Sequence, residues 1–97
     1  MECFVVKYQA KSVLIARKKS IEGDYVHRPC FISLFDENDP HMNAQGPKEV
    51  LEFQRIHKIV ISGLDVHYLL PGNDIVINDL TEVEVEEDGD IVRVTGK

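Results

Sequence analysis

Residues 81–94 read Thr, Glu, Val, Glu, Val, Glu, Glu, Asp, Gly, Asp, Ile, Val, Arg, Val, which is an alternating strand, a turn and a returning strand. An apolar residue at every second position matches the two-residue repeat of an extended chain with one buried face, not the period of a helix. Taking Asp88 and Gly89 as a two-residue type I′ turn pairs Glu87 with Asp90, Glu86 with Ile91, Val85 with Val92, Glu84 with Arg93, Val83 with Val94 and Glu82 with Thr95. Val83, Val85, Val92 and Val94 then share one face. Glu82, Glu84 and Glu86 share the other, about 7 Å apart along the strand, with Arg93 as their one compensating charge. Glu87, Asp88 and Asp90 are expected at the tip, with Asp74 and Asp79 close by in sequence.

The rest of the chain reads as further strands. Residues 3–8 and 12–17 are apolar and rich in β-branched side chains, and the link through Gln9, Ala10 and Lys11 suggests a first hairpin. Strands are expected from Pro29 to Phe35, at 58–63 and at 75–78, the last after a turn built on Pro71 and Gly72. Between them lies the longest loop, residues 36–47, and loops of that length in small domains often carry function. Pro47 at a first helical position, Glu49 near a helix N-terminus and the spacing of Val50, Phe53, Ile56 or His57, and Val60 predict a short helix over 47–57, although Leu51, Phe53 and Arg55 also alternate at strand spacing. The expected fold is α+β, mainly β: an antiparallel sheet or small, partly open barrel with one short helix, in a single domain over 1–97. At 97 residues a chain can bury one core without staples.

The net charge of −6 is unevenly spread. Residues 1–28 hold six basic and three acidic side chains, whereas the remainder holds five basic and fourteen acidic ones. Such a field repels nucleic acid and steers toward basic surfaces. The run Arg17, Lys18, Lys19 has no interleaved aromatics and reads as a solvated strand end, not a nucleic-acid patch. No apolar run reaches membrane-spanning length, the first residues lack a signal-peptide pattern, and two distant thiols, Cys3 and Cys30, do not make a disulfide framework; a reducing cytoplasm is expected.

Reaction signatures are sparse. His27 lies three residues before Cys30, but Cys30 opens an apolar strand, where a buried structural thiol is the expectation. Structural zinc would want four ligands in close pairs, which His27, His41, His57, His67 and the two cysteines do not offer. Counting an EF-hand from Asp36 puts Pro40, His41 and Pro47 at its fifth, sixth and twelfth positions, so that pattern fails. There is no glycine-rich phosphate loop and no nucleophile elbow.

The expected function is a small acidic, non-enzymatic binding or inhibitory protein without a cofactor. Its carboxylates Glu82, Glu84, Glu86, Glu87, Asp88, Asp90, Asp74 and Asp79 would engage a basic partner, such as a DNA-binding protein whose phosphate-binding groove they imitate. A compact inhibitor of that kind would suit a viral or mobile-element origin. Two rivals make different demands: an assembly subunit that pairs through an apolar sheet edge and uses charge for solubility, and a small hydrolase or transferase built on His27, Cys30, Asp36 and His41.

Overall fold

The computed structural model describes residues 4–17, 29–40, 45–54, 58–61, 66–68, 74–89 and 91–97. Nine strands follow in chain order: β1 (Phe4–Gln9), β2 (Ser12–Arg17), β3 (Cys30–Phe35), β4 (Glu49–Phe53), β5 (Lys58–Ile61), β6 (Val66–Tyr68), β7 (Ile75–Ile77), β8 (Glu82–Asp88) and β9 (Ile91–Gly96). They form a five-stranded sheet in the order β1-β8-β9-β5-β6 and a four-stranded sheet in the order β4-β3-β2-β7. Pairing is antiparallel except where β5 runs parallel to β9. The expectation of a mainly β domain holds, in the form of two sheets and not a closed barrel.

Alternation explains the core. Val13, Ile15, Ile32 and Leu34 from the four-stranded sheet meet Val83, Val85, Val92, Val94 and Ile61 from the five-stranded sheet in one buried cluster, with Ala10 and Cys30. Burying an aliphatic side chain of this size contributes about 1.5–3 kcal/mol, so these positions hold the sheets together.

Residues 81–94 form the expected hairpin in a different register. Val85 lies opposite Val94, Glu86 opposite Arg93, Glu87 opposite Val92, and Asp88 opposite Ile91. The connection therefore begins at Gly89, which has φ of 62°, a left-handed value that glycine adopts without steric cost. The shift leaves every side chain on its expected face and moves Arg93 from Glu84 to Glu86.

The first two strands do not form a hairpin. β1 pairs with β8 in one sheet, and β2 pairs with β3 and β7 in the other. Gln9, Ala10 and Lys11 lack the residues that a tight turn requires. The chain instead changes sheets there: Ala10 is buried, the Lys11 amide donates to the Phe35 carbonyl at 2.8 Å, and the Lys11 carbonyl accepts from the Leu80 amide at 2.8 Å. The link from β7 to β8 changes sheets beside it, so two crossings lock together.

The helix expected over 47–57 is also overturned, since Glu49–Phe53 is strand β4 on the edge of β3. Leu51 and Phe53 pack against the core, while Val50, which the helical spacing would have turned inward, is 50% exposed. An isolated helix of that length is marginal in water, and pairing with β3 satisfies the same backbone groups while burying Leu51 and Phe53.

The loop after β3 is held in its first half. The Ser12 hydroxyl, fully buried, donates to the Glu37 carbonyl. Asn38 Nδ2 donates to Asp79 Oδ1 at 3.0 Å, the Asp79 amide returns a bond to Asn38 Oδ1 at 2.9 Å, and the Asp39 amide donates to Asn78 Oδ1 at 3.1 Å. Asp39 and Asp79 both have positive φ, 56° and 61°. This conformation costs a non-glycine residue of order 1 kcal/mol, and these hydrogen bonds sustain it.

Candidate functional site

The acidic row exists, but cations flank it. Glu82, Glu84 and Glu86 project from one face of β8, each only half exposed. On the neighbouring strands Lys7 stands opposite Glu84, with its Nζ 3.9 Å from Glu82 Oε1. Arg93 reaches Glu86 Oε1 at 3.8 Å and Asp88 Oδ2 at 3.4 Å. Four carboxylates thus share this face with two cations. Glu82 Oε1 is buried and makes no hydrogen bond, leaving the Lys7 charge as its compensation.

The remaining predicted carboxylates are dispersed. Glu87 falls on the opposite side of β8 from the row, on the same parity as Val83 and Val85, and reaches an apolar cleft. Asp79 is bound to Asn38 before the start of β8, whose span from Glu82 to Asp88 is roughly 20 Å. Asp74 precedes β7 in the other sheet and is exposed. Asp90 lies outside the described residues.

Sequence reasoning singled out none of the cleft residues as a site except Glu87. β1 is an edge of one sheet and β4 an edge of the other, and between them opens a cleft of about 290 Å³ lined by Phe4, Val6, Tyr8, Val50, Phe53 and Val85 among others, with Glu52 and Glu87 at its lip. Phe4, Val5, Val6 and Val50 are 59%, 49%, 46% and 50% exposed, and among the described residues they are the exposed large hydrophobic side chains. Val5 is on the outer face, beside Glu86; the other three line the cleft. At its inner end burial, and then the negative charge of Glu49, push the Tyr8 phenol above its ordinary pKa. The signal in the sequence was the unbroken run Phe4, Val5, Val6: apolar side chains at successive strand positions must point both ways, and one set of them needs a cover.

Of the enzymatic set, Cys30 and Asp36 are among the described residues, and they do not come together. Cys30 is fully buried at the start of β3, whereas Asp36 follows the end of that strand, about 20 Å away. Asp36 Oδ1 is held by Lys48 Nζ at 3.1 Å, and Lys48 Nζ also donates to the Gln9 carbonyl. His27 and His41 lie outside the described residues, as do Lys18 and Lys19 of the basic run. Among the described residues no three His, Cys, Asp or Glu side chains gather as metal ligands, and no helix is long and apolar enough to cross a membrane.

Comparison with family models, with curated proteins and with solved structures finds no match to this chain.

Proposed function

We propose that this chain is a small acidic, non-enzymatic protein-binding module that engages a basic partner, and that the contact is made at the cleft between β1 and β4. One observation carries the reading: the exposed large hydrophobics of the described residues all lie on these two edge strands, and three of the four line one cleft with carboxylates at its lip. Soluble proteins cover apolar patches of this kind unless a partner does so, and edge strands are ordinarily defended by charge or proline. On β1 the defence is Lys7 alone. The acidic lip and the net charge of −6 favour a cationic partner and speed its approach.

A second reading is supported by the shared face of Glu82, Glu84 and Glu86. A row of carboxylates on a rigid sheet resembles a run of phosphates, and it would occupy the groove of a DNA-binding protein. Lys7 and Arg93 work against it.

Two sets of substitutions separate the readings. The partner recovered at low salt is measured against the Val6→Asp and Val50→Asp variants and against the triple reversal of Glu82, Glu84 and Glu86 to Lys. Loss of binding in the first set alone supports the cleft. Loss in the second set alone, with competition by duplex DNA, supports mimicry and overturns the cleft reading.

A further inference from the structure

The open side of the molecule also suggests how a partner is held. β1 is hydrogen-bonded to β8 on one side and, among the described residues, ends its sheet on the other, so every second residue of Phe4–Gln9 presents its N–H and C=O groups outward, although the Gln9 carbonyl already accepts from Lys48 Nζ. The strand has six residues and no proline, and its one charged side chain, Lys7, leans toward Glu82 on the outer face. The side chains facing the core layer are Phe4, Val6 and Tyr8, which line the cleft. A further strand laid beside β1 at the usual spacing of about 4.8 Å would satisfy these backbone groups and project alternate side chains over Val6 and Val50.

The charges choose the occupant. In a second copy of this chain, pairing here would bring two sets of Glu52 and Glu87 into one enclosed apolar site, where like charges repel with little screening. A segment carrying a cation meets those carboxylates favourably. Glu87 stands opposite Phe4, so the cation belongs at the Phe4 end. Resting on the cleft reading above, we propose that β1 takes an extended segment of another protein as an added strand, with apolar side chains over Val6 and Val50 and a Lys or Arg directed at Glu87 and Glu52.

The test uses the full chain and a blocked heptapeptide in which Thr alternates with Arg, Leu and Leu, so that one face carries the cation and two apolar groups. Binding is followed by fluorescence anisotropy and by amide chemical shifts. The Arg peptide should bind at least tenfold more tightly than a twin with Glu in place of Arg, and Glu87→Gln should narrow that ratio. N-methylation at alternate residues should weaken binding tenfold or more in the phase that faces β1 and little in the other, because only one set of amides pairs with the strand. Equal sensitivity in both phases, with binding lost in Val6→Asp and in the independent Val50→Asp, would overturn strand addition and leave the cleft reading standing. Absence of any binding by the Arg peptide would overturn both. A concentration-dependent dimer in sedimentation, abolished by Val6→Asp and unmoved by the peptide, would replace the partner with a second copy.

Discussion

The two ends of β1 meet the molecule in opposite ways. At Ala10 the chain turns under cover: the backbone groups of Lys11 are both bonded, Ser12 is buried, and the crossing from β7 to β8 lies alongside. At Phe4, in the same strand and the same ladder with β8, the side chain is 59% exposed. Composition does not explain the difference, because the exposed end is the more apolar one. Cover explains it: the inner end has a second crossing packed upon it, while among the described residues the outer end faces the edge of β4 across the cleft.

The contrast is broken most sharply by cavities. Leu34→Ala, at a fully buried position, should cost about 2–5 kcal/mol in urea unfolding, whereas Val50→Ala at the open side should stay within about 0.5 kcal/mol. Similar losses at both sites would mean that the cleft is covered in solution.

Next in size is the clamp at the covered end. Asp79→Ala and Asn38→Ala should each cost about 1–2 kcal/mol, because Asn38→Ala removes both reciprocal hydrogen bonds, and Asp79→Ala removes the one to its carboxylate while placing an alanine at a positive φ. Asp79→Asn keeps an acceptor and tolerates that φ, so it should be nearly neutral. An equal loss in the Asn variant would show that the negative charge, not the geometry, matters there.

A smaller effect belongs to Lys48, whose ammonium ties the Gln9 carbonyl to Asp36. Because Asp36 is mostly exposed, Lys48→Met should cost only about 0.5–1 kcal/mol, and a double-mutant cycle with Asp36→Asn should assign less than half of it to the ion pair.

The smallest is a pH effect at the inner end of the cleft. The Tyr8 phenol has its pKa raised by burial and by Glu49, so the unfolded chain loses this proton first as pH rises. Stability should fall as pH climbs from about 10, the ordinary phenol value, to the higher folded value, and Tyr8→Phe should flatten that limb of the stability curve. An identical alkaline limb in the Phe variant would assign the loss to other groups.

What could be read in the sequence follows a physical boundary. The faces of β8 and β9 were legible because burial imposes a period of two on Val83, Val85, Val92 and Val94. Their register was not, because sliding the pairing from Val85 with Val92 to Val85 with Val94 leaves every side chain on the same face. The strand identities of β1 and β2 were legible, but their partners were not, since no local pattern around Ala10 distinguishes a turn from a change of sheet. At Phe53 the helical spacing that starts from Val50 and the strand alternation that starts from Leu51 coincided, and the available edge of β3 decided between them. As for the site, Glu82, Glu84 and Glu86 were placed correctly on one face, whereas their cations depend on which strands flank β8. The cleft is a property of two edges that lie more than 40 residues apart in sequence, and the nearest sequence-level reading was the apolar sheet edge of the assembly rival.

The pairing of early strands with late ones sets a timetable. β1 lies beside β8 and β2 beside β7, in contacts that span 60 to 83 positions of the chain. At a synthesis rate of about 5–20 residues per second, Phe4, Val5 and Val6 wait roughly 4–16 s before Glu86 and Glu87 are made. Through that interval both edges of β1 are open, and among the described residues the folded chain pairs a strand with just one of them.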